Sequence, residues 1–374
     1  MSPASKSKNI GILTAGGDCP GLNAAIRGIA KAARDTHGMT VVGFLDGFTG
    51  LVENRFVPIS DELSTGLLTL GGTILGTSRH KPHKMPLPDG STRDMTGAAV
   101  ETYRRLNLDC LVCIGGGGTA KNALRLQEAG MNIVTLPKTI DNDVAETDVT
   151  FGYDSSMSIA TEAIDRLHTT ASSHKRLMLV DIMGHNTGWL ALSASLAAGA
   201  DVCLIPEVPY SFDAVLVALR RRLERGRRFS LISIAEGARP AASRDEVKDK
   251  EDRQSKKKNG QGSGNGKPTE RPSSQAFLLA PKLEAALGIE TRVTTLGHVQ
   301  RGGIPTPTDR LLATSLGITA AQWIADGKYG VMVGVKGIEM VPVPLEKVAG
   351  KKKTVPMDHP MIRTARAIGL CLGD

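Results

Sequence analysis

The stretch CIGGGGTAKNA, residues 113–123, joins an apolar run to a segment of helical periodicity through four consecutive glycines. A strand that ends in glycines and continues into a helix is the joint of a βα unit. Glycine lets the backbone approach an anion closely, and the free N–H groups of the helix start point toward it. Packing a helix against a strand needs only one or two glycines. The four therefore indicate a phosphate-binding turn, with Thr119 as a capping or phosphate-binding hydroxyl.

The same alternation of apolar runs and amphipathic stretches extends along the chain and predicts an α/β fold with parallel sheets. The predicted strands are 9–14, 41–45, 109–114, 132–136, 177–182, 202–205, 229–235, 291–296 and 331–335. The predicted helices are 21–35, 95–106, 119–129, 155–172, 187–198, 212–225, 276–287 and 308–326. Nine strands are too many for one lobe of average size, so two lobes with a cleft between them are expected.

The composition excludes several classes of protein. Of 374 residues, 41% are hydrophobic and 22% are charged, which is typical of a globular chain and not of a disordered one. No apolar run approaches the roughly 20 residues of a membrane-spanning helix, and the N-terminus shows no secretory signal. Aromatic residues make up only 3%, so stacking surfaces for single-stranded nucleic acid are scarce. We expect neither a membrane nor a nucleic acid as partner.

Half of the net charge of +8 lies in one segment. Residues 239–271 hold ten Lys or Arg and six Asp or Glu, a net of +4, and almost no large apolar residue. Such a segment cannot bury enough surface to order itself, which predicts a flexible basic surface insertion. A nucleic-acid-binding tail is the less favoured interpretation.

Five cysteines are present, and two of them have the spacing CxxC. Cys110 and Cys113 lie in the apolar run CLVCI, where residues three apart on a strand face opposite sides. The pair is therefore unsuited to chelate a metal or form a disulfide. We expect buried, reduced thiols and a cytoplasmic location.

A second glycine turn lies in GILTAGGDCPGLNAAIRG, residues 11–28. A predicted strand runs into Gly16 and Gly17, and a helix begins near Pro20, where proline is favoured in the first turn. This arrangement suits an anion, although a tight connection without a ligand would have the same pattern.

Two acidic residues follow another predicted strand in LPKTIDNDV, residues 136–144. At spacing i, i+2, Asp141 and Asp143 are expected on one face of an extended segment. One carboxylate can accept a proton from a sugar hydroxyl, while the other holds a metal or supports the first. Lys138 and Thr139 bring a cation and a hydroxyl to the same loop. A solvated acidic turn is the alternative.

Basic residues bracket a strand end in TRVTTLGHVQRGGIPTPTDR, residues 291–310. Guanidinium groups grip phosphate through paired hydrogen bonds, so Arg292 and Arg301 with His298 favour a phosphorylated sugar. A single arginine here would instead indicate a surface ion pair.

Taken together, these motifs resemble the 6-phosphofructokinase family. The resemblance rests on GGDCPGLNAAIRG, GGTILGTSR (71–79), GGGGT, PKTIDND, HKR (174–176), MGHNTG (183–188), AEGA (235–238) and LGHVQRGG. It implies two doubly wound Rossmann-like domains, each with a mostly parallel sheet, and an active site in the cleft between them. Residues 1–142 with about 303–355 would form the larger, donor-binding domain. Residues 143–302 with 356–374 would form the smaller domain that binds fructose 6-phosphate.

The resemblance also implies a role for individual residues. Asp141 resembles the general base, with Asp143 and Thr139 beside it. The implied donor-binding residues are Gly17, Arg79, Gly116, Gly117, Gly118 and Thr119. The implied substrate-binding residues are Thr139, Asp141, Arg176, Met183, Gly184, His185, Glu236, Arg292, His298 and Arg301. Family members lend the arginines matching Arg176 and Arg292 from a neighbouring subunit, which implies a homodimer or homotetramer.

The phosphoryl donor depends on two positions in this family. Gly118 leaves room for a nucleotide, whereas pyrophosphate users carry an aspartate there. Lys138 is typical of pyrophosphate enzymes. We predict ATP, because room for the nucleotide is a requirement and a lysine only adds attraction. A pyrophosphate-dependent enzyme is the alternative.

Mg²⁺ is the implied cofactor. The family's usual acidic ligand position is Gly117 here, so the sequence assigns no metal ligand. A non-catalytic regulatory paralogue is therefore a further alternative. A nicotinamide dehydrogenase is disfavoured, because no dinucleotide fingerprint is present.

Overall fold

The computed structural model describes residues 7–241 and 274–374. The chain divides into two compact units. Unit 1 comprises Met1–Ile159 and His298–Thr354, and unit 2 comprises Ala160–Gly297 and Val355–Asp374. From residue 242 onward, the insertion predicted at 239–271 lies outside the described residues.

The secondary structure is the expected alternation of strands and helices. The strands are β1 (Asn9–Thr14), β2 (Thr40–Phe44), β3 (Phe56–Pro58), β4 (Met85–Pro86), β5 (Thr92–Arg93), β6 (Cys110–Gly115), β7 (Ile133–Pro137), β8 (Leu177–Ile182), β9 (Val202–Leu204), β10 (Ser230–Ala235), β11 (Thr291–Thr295), β12 (Val331–Lys336) and β13 (Glu339–Pro344). The α-helices are α1 (Leu22–Lys31), α2 (Phe48–Glu53), α3 (Asp61–Ser64), α4 (Thr96–Arg105), α5 (Gly117–Glu128), α6 (Tyr153–His174), α7 (Trp189–Ala198), α8 (Phe212–Glu224), α9 (Gln275–Leu287), α10 (Pro307–Ala325), α11 (Leu345–Val348) and α12 (Pro360–Ala367).

Unit 1 is built on a seven-stranded sheet of order β13-β12-β7-β6-β1-β2-β3. Its five inner strands are parallel, while the edge strands β13 and β3 run antiparallel to their neighbours. All six residues of β6 are buried. A parallel sheet covered on both faces requires such continuous apolar strands. The chain builds outward from β1 in both directions, so a topological switch point lies between β1 and β6.

Unit 2 is built on a four-stranded, wholly parallel sheet of order β11-β8-β10-β9. Its core combines Leu179, Leu204 and Ile234 from the strands with Leu219 and Leu283 from the helices. Both units therefore have the predicted doubly wound α/β architecture with a mostly parallel sheet.

The first unit boundary falls inside α6, later than the predicted boundary at residue 142. The first turn of α6 is tied to the C-terminal part of unit 1. The Ser155 N–H donates to Asp309 (2.8 Å), and the Ser156 hydroxyl donates to the Gln300 carbonyl (2.5 Å). These bonds join positions about 150 apart in the chain, which local sequence patterns do not report.

The five cysteines were predicted to be buried, reduced thiols, and four of them are buried. Cys110 and Cys113 are completely buried free thiols, as are Cys19 and Cys203, whereas Cys371 is only partly buried. Burial raises the pKa of the Cys110 and Cys113 thiols well above their usual value. Within residues 7–241 and 274–374, every helix is too short or too polar to cross a bilayer.

Candidate active site

The candidate donor site of unit 1 lies where the strands β1 and β6 end side by side. The Ala15 N–H donates to the carbonyl of Ile114 (3.0 Å), and the Thr119 hydroxyl donates to the carbonyl of Ala15 (3.4 Å). The two glycine turns predicted from the sequence are thus brought together at the switch point of the sheet. In open α/β sheets, ligands bind at this point.

The two glycines after β1 serve different purposes. Gly16 has a φ of 89°, a left-handed conformation that disfavours a side chain. Gly17 has no such φ, but a Cβ there would lie only 1.7 Å from one guanidinium nitrogen of Arg301. The sequence motif therefore contains one glycine for the turn and one for the approach of an arginine from 284 positions further along the chain.

Two cations flank this turn. Lys138 is only 3% exposed, and its ammonium donates to the Gly17 carbonyl. Burial lowers the pKa of Lys138, and the nearby Arg301 lowers it further, whereas Cys19, Asp18 and Asp141 act in the opposite direction. The Nε of Arg301 is buried without a hydrogen-bond partner among the residues that the structure describes. The Asp18 carboxylate lies 3.9 Å from the Arg301 guanidinium. Two cations beside a glycine turn, one of them with an unpaired buried nitrogen, suit an anionic ligand.

Replacing Gly17 with alanine should test this contact. The added methyl group would displace the end of the Arg301 side chain rather than backbone, so we expect the fold to survive. Displacing a charged group by about 1 Å costs up to roughly 100-fold in rate, and we expect a loss of about 10- to 100-fold in kcat/KM. Gly97→Ala is the matched control, because no atom lies within 4 Å of that position. Equal activity of both variants would contradict a role for the Gly17–Arg301 contact.

The second glycine turn passes directly into α5, which begins at Gly117. A Cβ on Gly115 would overlap Thr119, so Gly115 permits the buried hydroxyl to fold back against β6. Gly118 is exposed and no atom lies within 4 Å of its Cβ position. Gly117 faces the backbone carbonyl of Lys351, at 3.6 Å from its Cβ position. Arg79 is exposed and follows Ser78, whose backbone pairs with Ala15.

The acidic loop after β7 is a tight turn, and the expectation of an extended segment is wrong. Asn142 has a φ of 50°, which rotates the chain between Asp141 and Asp143, so their spacing does not itself place them on one face. The Asp141 N–H donates to the Thr139 hydroxyl (3.1 Å). The Asn142 side chain accepts a hydrogen bond from the Thr150 N–H (3.2 Å). Asparagine tolerates the left-handed conformation and closes the loop with its own carbonyl oxygen.

In unit 2, the predicted sugar-binding residues Met183, Gly184 and His185 form the turn after β8. The backbone N–H of His185 donates to the carboxylate of Glu236, which follows β10, at 2.7 Å. Gly184 has a φ of 154°, and a Cβ there would meet the Thr187 carbonyl at 2.6 Å. The structure thus brings these four predicted residues together at the carboxyl ends of two neighbouring strands.

Arg176 and Arg292 lie at the opposite end of the same sheet. Both guanidinium groups bind the carboxylate of Glu290, and Arg176 in particular holds the pKa of Glu290 below its usual value. Arg176 directly precedes β8, whereas Met183 directly follows it. Five steps of about 3.3 Å along β8 separate the two ends by roughly 17 Å. Within one chain, the two arginines are therefore remote from the Met183–His185 turn.

His298 and Arg301 belong to unit 1, although the sequence placed them in the predicted sugar-binding domain. They lie on a short 3₁₀ turn, Gly297–Arg301, that follows β11. Arg301 contacts the β1 turn as described, and His298 is exposed. The hydrogen bond between Ser156 and Gln300 anchors this turn to unit 1.

Three charged residues of these sites were missed in the sequence. Asp18 lies within a quoted motif, and its neighbour Arg301 could not be foreseen. Nothing in the sequence distinguishes Glu290 from other acidic residues, and only the structure shows that it binds two arginines. Lys353 belongs to the run Lys351–Lys353, which a sequence reading assigns to a solvated surface. The side chain of Lys353 instead enters the acidic loop.

The side chains alone do not fit a resident Mg²⁺ ion. Gly117 offers no carboxylate, and the described parts of the chain contain no group of three or more His, Cys, Asp or Glu side chains arranged to hold a metal. Protein-bound Mg²⁺ often has only one or two carboxylate ligands and is otherwise held by water and substrate phosphates. An ion carried by a phosphorylated substrate would be compatible with these residues.

Comparisons with known proteins agree with this architecture. A family model described as phosphofructokinase matches residues 9–324. An ATP-dependent 6-phosphofructokinase of Propionibacterium freudenreichii is 52% identical over 98% of this chain and 100% of that protein. An ATP-dependent 6-phosphofructokinase of Spirochaeta thermophila is 50% identical over 98% of both chains. The solved structure of Pichia pastoris phosphofructokinase in the T-state aligns with a TM-score of 0.75 at 31% identity, over 93% of this chain and 36% of that one. The chain belongs to the phosphofructokinase family.

Proposed function

We propose that this chain transfers the γ-phosphoryl group of ATP to the 1-hydroxyl of D-fructose 6-phosphate. The products are fructose 1,6-bisphosphate and ADP, and the step belongs to glycolysis. Both relatives are named for ATP-dependent 6-phosphofructokinase activity and match over almost their whole length. They agree with the sequence prediction of ATP as donor.

The chemistry assigned to unit 1 is proton removal followed by phosphoryl transfer. Asp141 takes the proton of the 1-hydroxyl, whose oxygen then bonds to the γ-phosphorus as the bond to the β-phosphate oxygen breaks. ADP leaves with the electron pair of that bond. Backbone N–H groups at the start of α5 and the cations Lys138 and Arg301 oppose the negative charge that gathers on the phosphoryl oxygens. Catalysis of this type is mainly positioning and charge stabilisation.

The open space at Gly118 is the observation that carries ATP over pyrophosphate. With no atom within 4 Å of its Cβ position, Gly118 leaves the surface beside the glycine turn clear for the α-phosphate and nucleoside. Lys138, which is typical of pyrophosphate enzymes, is weaker evidence for pyrophosphate as donor, because its ammonium is buried and hydrogen-bonded to the Gly17 carbonyl.

Magnesium enters this proposal as part of the substrate, MgATP. Gly117 removes the usual carboxylate, so the phosphates of the donor and water would supply most of the ligands. Bound in this way, Mg²⁺ neutralises phosphate charge.

The two units take different substrates in this proposal. Unit 1 binds the donor through Gly17, Arg79 and the Gly116–Thr119 turn. Unit 2 binds the sugar through the turn Met183–His185, with the Glu236 carboxylate as an acceptor for sugar hydroxyls. His298 and Arg301 bind the sugar phosphate from unit 1.

We further infer a homodimer or homotetramer. Arg176 and Arg292 lie at the end of the unit 2 sheet remote from the Met183–His185 turn, so they are suited to bind the sugar phosphate of a neighbouring subunit. Glu290 holds the two guanidinium groups side by side until a phosphate dianion replaces it. The buried free thiols are consistent with a reducing compartment, and we place the enzyme in the cytoplasm.

A coupled assay with fructose 6-phosphate and Mg²⁺, run in parallel with ATP and with pyrophosphate, tests the proposal. We expect turnover with ATP and less than about 1% of that rate with pyrophosphate, since a hundredfold preference needs only about 2.8 kcal/mol. Turnover with pyrophosphate alone would show that Lys138 decides the donor. A folded oligomer inactive with both donors would instead support a regulatory role that follows from Gly117.

A further inference from the structure

Lys353 lies in an extended segment that follows α11 and runs alongside the acidic loop. Its backbone N–H donates to the carbonyl of Asp143 (2.9 Å), and the neighbouring Lys352 pairs with Val144 in an antiparallel bridge. The segment therefore adds a short strand to the loop that carries Asp141 and Asp143, from more than 200 positions further along the chain.

The ammonium of Lys353 forms hydrogen bonds with residues at both ends of this loop. It donates to the side-chain oxygen of Asn142 (3.0 Å) and to the carbonyls of Thr147 (2.9 Å) and Asp148 (2.8 Å). An ammonium has three donor hydrogens, so these three acceptors match its full capacity. One cation thus joins the residue next to Asp141 to the far end of the loop.

The charge and burial of Lys353 make this contact strong. Burial lowers its pKa to about 8, and Lys336 acts in the same direction, whereas Asp148 and Asp143 oppose the shift. At neutral pH the group is mostly charged, and its hydrogen bonds are charge-assisted. Asn142 and Glu146 both have positive φ, at 50° and 61°. Asparagine tolerates this conformation, but glutamate rarely adopts it, so the conformation of Glu146 needs enforcement by surrounding contacts.

We propose that Lys353 is a positioning residue, which fixes the Asn142–Asp148 loop and thereby aims the carboxylate of Asp141 at the substrate hydroxyl. The inference rests on the proposed function for the role of Asp141. It assigns Lys353 no contact with either substrate. Its removal should therefore affect the rate of the chemical step more than the binding of substrates.

Three variants separate this role from general stability. Lys353→Met keeps the length of the side chain and removes all three donors, whereas Lys353→Arg keeps the charge and several donors. Lys352→Met is the matched control, because Lys352 is exposed and pairs with the loop through its backbone. Circular dichroism and thermal melting verify that each variant is folded.

We expect kcat of Lys353→Met to fall about 30-fold, within the range that a small misplacement of a catalytic group produces. KM for ATP and for fructose 6-phosphate should stay within about threefold of wild type, since Lys353 contacts neither substrate and its loss leaves substrate binding unchanged. Lys353→Arg should recover most of the rate, and Lys352→Met should match wild type. Wild-type kcat in Lys353→Met would overturn the proposal. Equal losses in the Met and Arg variants, with both KM values raised, would also overturn it.

Amide hydrogen exchange gives a readout that does not depend on activity. The Thr150 N–H donates to the same Asn142 oxygen that Lys353 binds, so it reports on the closure of the loop. Its exchange should be faster in Lys353→Met than in Lys352→Met, and equal exchange would overturn the anchoring role. Failure of the proposed function is distinguishable, because it would appear as inactive wild-type enzyme with both donors. The exchange rates would then still decide whether Lys353 holds the loop.

Discussion

Asp141→Asn should abolish most turnover, lowering kcat by about 10²- to 10⁴-fold, the usual contribution of a general base. Asparagine has nearly the same shape as aspartate but cannot accept the proton of the 1-hydroxyl. The backbone contact of residue 141 with the Thr139 hydroxyl is made by its N–H and is retained in the variant. Substrate binding, measured by thermal shift with each substrate, should remain close to wild type.

Comparison with Asp143→Asn identifies which carboxylate is the base. The variant at the base should lose at least about tenfold more activity than the variant at the supporting carboxylate, because only one group takes the proton. Asp89→Asn is a neutral control: this exposed carboxylate accepts hydrogen bonds from the N–H and hydroxyl of the nearby Ser91, and asparagine also caps such turns. Greater loss in Asp143→Asn than in Asp141→Asn would reverse the assignment.

Gly118→Asp should strongly reduce the use of ATP while leaving the protein folded. The position is exposed, lies in the first turn of α5 and has open space around it, so the protein itself accommodates the side chain. A carboxylate at a helix N-terminus is even slightly stabilising. Beside the α-phosphate, however, its charge is repelled by about 4 kcal/mol at 4 Å in an effective dielectric of about 20. We expect kcat/KM for ATP to fall by about 10²- to 10³-fold.

Two further variants separate size from charge at this position. Gly118→Ala should retain most ATP activity, and Gly118→Asn should lose less than Gly118→Asp, because it has nearly the same volume without the charge. Each is assayed with ATP and with pyrophosphate under the same conditions. Undiminished ATP turnover in Gly118→Asp would contradict the assignment of the donor from this residue.

The regular elements of the fold followed from sequence patterns, whereas the sheet edges did not. The predicted strands over 9–14 and 177–182 have the same bounds as β1 and β8, and the other seven predicted strands differ from the observed ones by one residue at most at either end. β13 was missed because its sequence EMVPVP contains two prolines, which argue against a strand. The edge position next to β12 tolerates them, and only the assembled sheet shows that the strand is at an edge. The four-residue helices α3 and α11 are too short for any periodicity.

In the candidate site, too, local features were predicted from the sequence and long-range contacts were not. Glycine turns after apolar strands are local features, so the turns at Gly16 and at Gly115–Gly118 followed from the sequence pattern, whereas Glu236 was named only through the family motif that contains it. The turn at Asn142 was misjudged, because the alternation rule assumes an extended backbone. The long-range contacts of Arg301, Lys138 and Lys353 could not be found in this way.

By itself, the sequence determined the order of strands and helices, the positions of the glycine turns and the family of the protein. Those properties depend on local periodicity, on the φ freedom of glycine and on short motifs. Only the tertiary structure determined which charged side chains contact which distant residues. Lys138 binds Gly17 across 121 positions and Lys353 binds Asn142 across 211. The packing of whole strands and helices brings such pairs together. The energy of a contact depends on distance in space and not on separation along the chain.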